Sequence, residues 1–125
     1  MGPGKRILVV DDEPGILHFV QTSLNLAGYE VITCTDGEEA LELARSQKPD
    51  VILLDIVMQP LTGFEVLVRL RAFSRAPVIV FTARREIVEL ALKAGATDHI
   101  AKPFIPGELV KKIQGILEAQ PGESG

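Results

Sequence analysis

The sequence predicts an α/β fold, with helices packed on a single parallel sheet in a three-layer arrangement. Three observations predict it. Short apolar runs alternate with amphipathic stretches of helical length five times along the 125 residues, the pattern of repeated βαβ units. Three of the runs, Ile7-Leu8-Val9-Val10, Val51-Ile52-Leu53-Leu54 and Val78-Ile79-Val80-Phe81, are apolar at every position, as strands buried on both faces are. Each run then stops at a polar group: Asp11-Asp12, Asp55 and Thr82, with Lys102 closing a fourth run after Ile100-Ala101. Ligands of open parallel sheets bind just outside the carboxyl ends of the strands, so the alternation also proposes where a site lies.

The elements follow in order. A first strand spans Arg6–Val10, and a helix from Glu13 to Ala27 carries Ile16, Leu17, Val20 and Leu24 on one face until Gly28 stops it. A second strand covers Glu30–Cys34. Asp36, with Glu39 three residues on, has the spacing of a capping box. The helix it starts buries Ala40, Leu41 and Ala44 and ends before Pro49. The third strand is Val51–Leu54. A loop through Pro60 and Gly63 leads to a third helix with Phe64, Leu67 and Leu70 inward. Val78–Phe81 is the fourth strand and Glu86–Ala94 a short fourth helix ended by Gly95. His99–Ala101 is the fifth strand. The last helix starts near Pro106, a residue suited to a first turn, and turns Leu109, Ile113, Ile116 and Leu117 inward.

Residues 5–119 make one domain of ordinary size, and the Gly/Pro-rich ends, 1–4 and 120–125, read as flexible tails. A net charge of −4 argues against this segment gripping nucleic acid directly. No apolar run reaches the roughly 18 residues that a bilayer requires, and no signal-peptide core precedes Asp11. Met1-Gly2 lacks the Ser or Thr a myristoylation start needs, because Arg6 stands there. The single Cys34 excludes an internal disulfide and fits a reducing, cytoplasmic setting. Cys34 itself reads as a small buried apolar residue.

If the four polar strand ends are neighbours, three carboxylates meet in one shallow pocket and repel unless a cation joins them. An all-oxygen set suits Mg²⁺, which keeps several waters and takes few protein ligands. A lysine and a hydroxyl beside such a metal suit a phosphoryl group. The structural alternatives are an N-cap duty for Asp11 or Asp12, a capping role for Asp55, a simple strand preference for Thr82 and a solvated Lys102.

From Lys5 to Glu118 the chain strongly resembles the receiver domain of two-component response regulators. The resemblance rests on Val-Val-Asp11-Asp12-Glu13, on Leu-Leu-Asp55 with Gly63 eight residues later, on Thr82-Ala83 and on Lys102-Pro103-Phe104, all in the family's order and spacing. It implies a flavodoxin-like (βα)5 sandwich with strand order 2-1-3-4-5. It implies Asp55 as phosphoacceptor, supplied by a histidine kinase or a phosphotransfer protein. Asp12 would ligate Mg²⁺ directly, Asp11 mainly through water, and Asp55 and the Val57 backbone carbonyl would complete the protein ligands. Thr82, Ala83 and Lys102 would hold the phosphoryl group, with a cis Lys102–Pro103 bond and His99 at the switch position. Helix four, strand five and helix five would form the face that rearranges, meets an output domain or pairs in a homodimer. The domain itself would touch neither nucleic acid nor membrane, and would catalyse only its own phosphorylation and dephosphorylation.

Four details depart from the family's usual pattern or set this chain's variant of it. His99 replaces the usual Tyr or Phe, the Thr82–Gly95 stretch is about two residues shorter than in the chemotaxis regulator, and Gln59 with Pro60 displaces the usual proline by one. Val57 and Arg84 occupy positions that tune dephosphorylation, and apolar Val57 leans towards a long-lived phosphoryl form. His18 reads as a surface residue. The chain also has features of the winged-helix transcription-factor class: Lys-Pro-Phe followed by Glu108-Leu109, and Asp98 and Lys112 where that class pairs charges across a receiver dimer. Two other chemistries compete. A dehalogenase-type phosphatase needs a second Asp where Val57 stands. A flavodoxin-like cofactor module needs a phosphate loop where the acidic Asp11-Asp12-Glu13 would repel phosphate.

Overall fold

The computed structural model describes residues 5–56 and 62–119. The strands are β1 Arg6–Val10, β2 Glu30–Cys34, β3 Val51–Asp55, β4 Val78–Thr82 and β5 Asp98–Ala101. The helices are α1 Pro14–Leu26, α2 Gly37–Gln47, α3 Gly63–Leu70, α4 Val88–Lys93 and α5 Pro106–Glu118, with a 3-10 turn, Arg85–Ile87, leading into α4. The sheet is parallel throughout, in the order β2-β1-β3-β4-β5. The chain therefore has the flavodoxin-like α/β fold. The expected tails, 1–4 and 120–125, and the expected Val57 carbonyl ligand lie outside the described residues.

The strands' period of two divides the core. Leu8, Val10, Ile52, Leu54, Val78 and Val80 pack with α2, α3 and α4 through Ala40, Leu41, Ala44, Val66, Leu67, Leu70 and Ala91. Ile7, Val9, Val51, Leu53, Ile79, Phe81 and Ile100 pack with α1 and α5 through Leu17, Val20, Leu24, Leu109 and Ile113. Every position of β3 and β4 is buried, because helices cover both faces. A truncation to alanine at Leu53 or Ile79 would cost about 2–5 kcal/mol.

The helices end where the sequence places their stops, with small differences. Gly28 and Gly95 have φ of 98° and 116°, the left-handed region that ends a helix without a Cβ penalty. Lys48 ends α2 in the same region at φ 47°. Asp36 caps α2 by accepting from the Glu39 amide at 3.3 Å. The two-way box expected there is found at α3 instead: Thr62 Oγ1 accepts from the Glu65 amide, and Glu65 Oε1 accepts from the Thr62 amide. Val66, absent from the expected inward face of α3, is fully buried, while Phe64 is half-buried at the edge of that core. Ile16, Ile116 and Leu117 likewise pack at the margin of the second core rather than inside it.

Candidate functional site

Sheet register brings the polar strand ends together. Val10 stands opposite Leu54, Asp55 opposite Phe81, and Thr82 opposite Ala101. Asp11 and Asp12 leave β1 one step beyond that row. Asp55 is the last residue of β3 and Thr82 the last of β4, so each strand runs one residue further than its apolar stretch. Carboxylate oxygens of Asp11, Asp12 and Asp55 lie within 4.8 Å of one another. Asp12 and Asp55 open into a cleft of about 520 Å³ whose walls include Glu13, Thr82, Ala83, Arg84 and Lys102.

The three carboxylates are not equivalent. Asp11 is fully buried and both its oxygens are engaged. Oδ1 accepts from the Glu13 amide at 2.9 Å and Oδ2 from the Lys102 ammonium at 3.0 Å. Glu13 is the N-cap of α1 and makes no side-chain cap, so Asp11 orders the turn into the helix as well. Asp12 is exposed and faces the cleft. Asp55 is 4 % exposed. An oxygen-only set with one open member and two oriented by the fold has the donor chemistry a hard divalent cation takes.

Among the described residues, Lys102 is the cation in ion-pair range of Asp11 and Asp55. Its Nζ lies 3.0 Å from Asp11, 3.6 Å from Asp55 and 3.9 Å from Glu13. The resemblance pairs this lysine first with Asp55; its shortest contact is instead with Asp11. Burial pulls the Lys102 pKa down, but the Asp11 hydrogen bond and the charges of Asp55, Asp11 and Glu13 outweigh it, and the net direction is up. The Lys102–Pro103 peptide bond is cis. The ammonium also lies 4.9 Å from the centre of the Phe81 ring. Phe81 meets Phe104 edge-on at 6.0 Å, and Phe104 meets Phe19 at 6.2 Å. This aromatic row beside the lysine went unread in the sequence, where Phe81 is one more strand residue.

Gly63 sets the floor of the site. Its amide donates to the Ile56 carbonyl at 3.1 Å. A Cβ at this position would lie 2.5 Å from Ile56 Cα and closer still to the Asp55 carbonyl oxygen. Only glycine lets α3 begin this near the end of β3.

Thr82 is buried, and its Oγ1 accepts from the Arg84 amide at 3.0 Å. Behind it a smaller cavity of about 220 Å³ is walled by Thr82, Arg85, Val88, His99 and Ala101. His99 is half-buried, with Nδ1 3.7 Å from Asp98 Oδ1. Asp98 in turn meets Lys112 of α5 at 3.4 Å, so the two residues named in the sequence for a cross-dimer pair are partners within this chain. His18 is exposed, as expected.

Known proteins share this architecture. Over 116 residues the chain is 44% identical to the alkaline phosphatase synthesis transcriptional regulatory protein PhoP of Bacillus subtilis, covering 90% of this chain and 48% of that protein. It thus spans about half the length of the curated relatives it matches. A Francisella response regulator receiver domain superposes with a TM-score of 0.86 at 32% identity, covering 92% of this chain and 98% of that one. The Vibrio cholerae chemotaxis response regulator superposes with a TM-score of 0.83 at 37% identity, covering 89% and 97%. No helix among the described residues is long and apolar enough to cross a membrane. With residues 7–114 matching the model of the response regulator receiver domain, and the strand order and acidic strand ends in place, the chain belongs to that family of two-component signalling proteins.

Proposed function

We propose that Asp55 is the phosphoacceptor and that Asp11, Asp12 and Asp55, with the Val57 carbonyl, hold Mg²⁺ beside it. The observation that carries this is the meeting of three carboxylates within 4.8 Å with one ammonium 3.6 Å from Asp55. When bound, Mg²⁺ supplies positive charge that offsets the crowded carboxylates and the phosphoryl oxygens. Asp11 is too fully engaged to turn outward, so it acts through water, while Asp12 is free to ligate directly. A carboxylate oxygen of Asp55 attacks phosphorus, the bond from phosphorus to the donor's imidazole nitrogen breaks, and the imidazole, whose other ring nitrogen carries a proton, takes the bonding pair and leaves neutral. Lys102, already within ion-pair range of Asp55, exchanges its Asp11 contact for a phosphoryl oxygen. Thr82 Oγ1 and the Ala83 amide donate to the other oxygens.

The same chemistry run with water returns Asp55 to its free state, so the domain promotes its own phosphorylation and dephosphorylation and turns over no other substrate. Turning Thr82 inward frees the cavity behind it, which His99 then enters, and the surface of α4, β5 and α5 changes with it. The donor is a histidine kinase or phosphotransfer protein in the cytoplasm. Because the chain matches the receiver half of transcriptional regulators, we assign the whole protein an output domain of that class, with α4, β5 and α5 as its contact or homodimer face.

Intact-mass spectrometry with acetyl phosphate and Mg²⁺ tests the core of this reading. One phosphoryl group should add to the wild-type chain and none to Asp55→Asn. A stable adduct on the variant would overturn the acceptor assignment.

A further inference from the structure

The opposite end of the sheet carries the reverse charge. The carboxyl ends of α2 and α3 leave an open cleft of about 450 Å³ between them, walled by Arg45, Lys48, Phe73, Ser74 and Arg75. No carboxylate lines it. Among the described residues none of the three cations has an ion-pair partner. The Arg45 guanidinium lies 4.2 Å over the centre of the Phe73 ring, which sets its plane at the rim. Behind the cleft the Arg71 guanidinium donates to the carbonyls of Gly95, Ser74 and Ala76. Burial first, and then the charge of Arg75, lower its pKa.

Cations at the carboxyl end of α2 offset its carbonyl dipole, an ordinary reason for Arg45 and Lys48 to stand there. It does not account for Arg75, which arrives from another element and adds like charge to the same space. Like charges gathered without counter-charge cost free energy that a bound anion recovers. In a chain of net charge −4 this concentration of unpaired cations stands out from the background.

We propose that this cleft binds a small, multiply charged phosphate compound. Guanidinium groups suit phosphate oxygens through paired N–H donors. The volume falls in the range of small-ligand sites, roughly 300–1,000 Å³. Phe73, 37 % exposed, offers a ring edge and face on which a base can rest. The ligand is therefore a free polyphosphate or a nucleoside polyphosphate, and the ring distinguishes them.

The test is an NMR titration of the ¹⁵N-labelled chain in divalent-free buffer at about 0.15 M NaCl, where surface charge is screened beyond roughly 8 Å. Without divalents, phosphate has no metal bridge to the carboxylate end, so the outcome does not depend on the role of Asp55. Sodium pyrophosphate and ATP are the probes. Saturable shifts at the amides of Arg45, Lys48, Ser74 and Arg75, weakened at least tenfold in Arg45→Gln/Arg75→Gln, support the site. ATP binding tighter than pyrophosphate and weakened by Phe73→Ala identifies a nucleoside polyphosphate; equal affinities identify the phosphate group alone. Shifts that never saturate, shifts centred on Asp12 and Thr82, or an unchanged affinity in the double variant overturn it. All the substituted side chains are exposed, and an otherwise unchanged spectrum of the variant shows that its fold is kept.

Discussion

Arg71 and the carboxylate pocket, at opposite ends of the sheet, treat charge in opposite ways. At the amino end Arg71 gives its guanidinium protons to three carbonyls and ties the segment after α3 to the turn before β5. Arg6 there reaches Glu30 and the Gln47 carbonyl, and its amide donates to Asp50. These charges are matched to fixed partners and hold the fold. At the carboxyl end three carboxylates crowd within 4.8 Å of one another and Lys102 is in ion-pair range of two of them, so like charge predominates. A charge among fixed partners stabilises the fold; like charges held together favour a ligand that offsets them. Removing the Arg71 guanidinium should therefore destabilise the fold, whereas removing one of the crowded carboxylates should stabilise the metal-free protein.

The largest effect should come from Arg71. Arg71→Ala should lower urea-unfolding stability by about 2 kcal/mol or more, since three half-buried carbonyls lose their donor at once. A loss below a few tenths of a kcal/mol would place this guanidinium among ordinary surface charges. Next is Lys102→Met, which leaves buried Asp11 without its counter-charge. The metal-free protein should lose about 1–2 kcal/mol, and Mg²⁺ should restore part of it.

The sign in pH follows from the raised Lys102 pKa. Its contribution is complete below the ordinary lysine value of 10.5 and fades as pH rises through the higher folded value. Lys102→Met should lack that alkaline loss, visible as a flatter dependence of Tm above about pH 10.

Asp12→Ala should move the other way. It removes one of the crowded carboxylates, so metal-free Tm should rise by the equivalent of about a few tenths of a kcal/mol. The stabilisation by Mg²⁺ should shrink and acetyl phosphate labelling should slow. A fall in metal-free Tm would show that this carboxylate is matched after all. The smallest effect concerns Cys34, buried beneath the same end of the sheet. Burial pushes its thiol up to about 11, ahead of the Asp36 hydrogen bond that lowers it. The folded chain disfavours the thiolate, so iodoacetamide at pH 8 should leave Cys34 unmodified until urea unfolds the protein.

The carboxylate end was legible in the sequence because its signals are local. An aspartate closing a fully apolar run needs a reason, and a parallel sheet lines such ends up whatever the loops do. The contacts of Arg71 were not. Arg71 follows an amphipathic helix and reads as a surface residue, since its acceptors are main-chain carbonyls of Gly95, Ser74 and Ala76, which no residue type announces. The same holds for Thr62, whose cap forms only because α3 starts at Gly63. The preference of Lys102 for Asp11 over Asp55 was equally hidden. It depends on differences of under 1 Å between two carboxylates that the sequence presents as alike.

Gly63 carries a consequence for how such a chain can diverge. Its amide is tied to Ile56 and its missing Cβ admits the Asp55 carbonyl, so the connection after β3 returns to the point it left. The entropy of closing a loop changes slowly with its length. A change in the number of residues between Ile56 and Thr62 should therefore cost little in stability while Asp55 stays in the sheet register that sets it opposite Phe81. Position 63 is the fixed knot that holds the start of α3 against the end of β3, whatever the length of the cord between them.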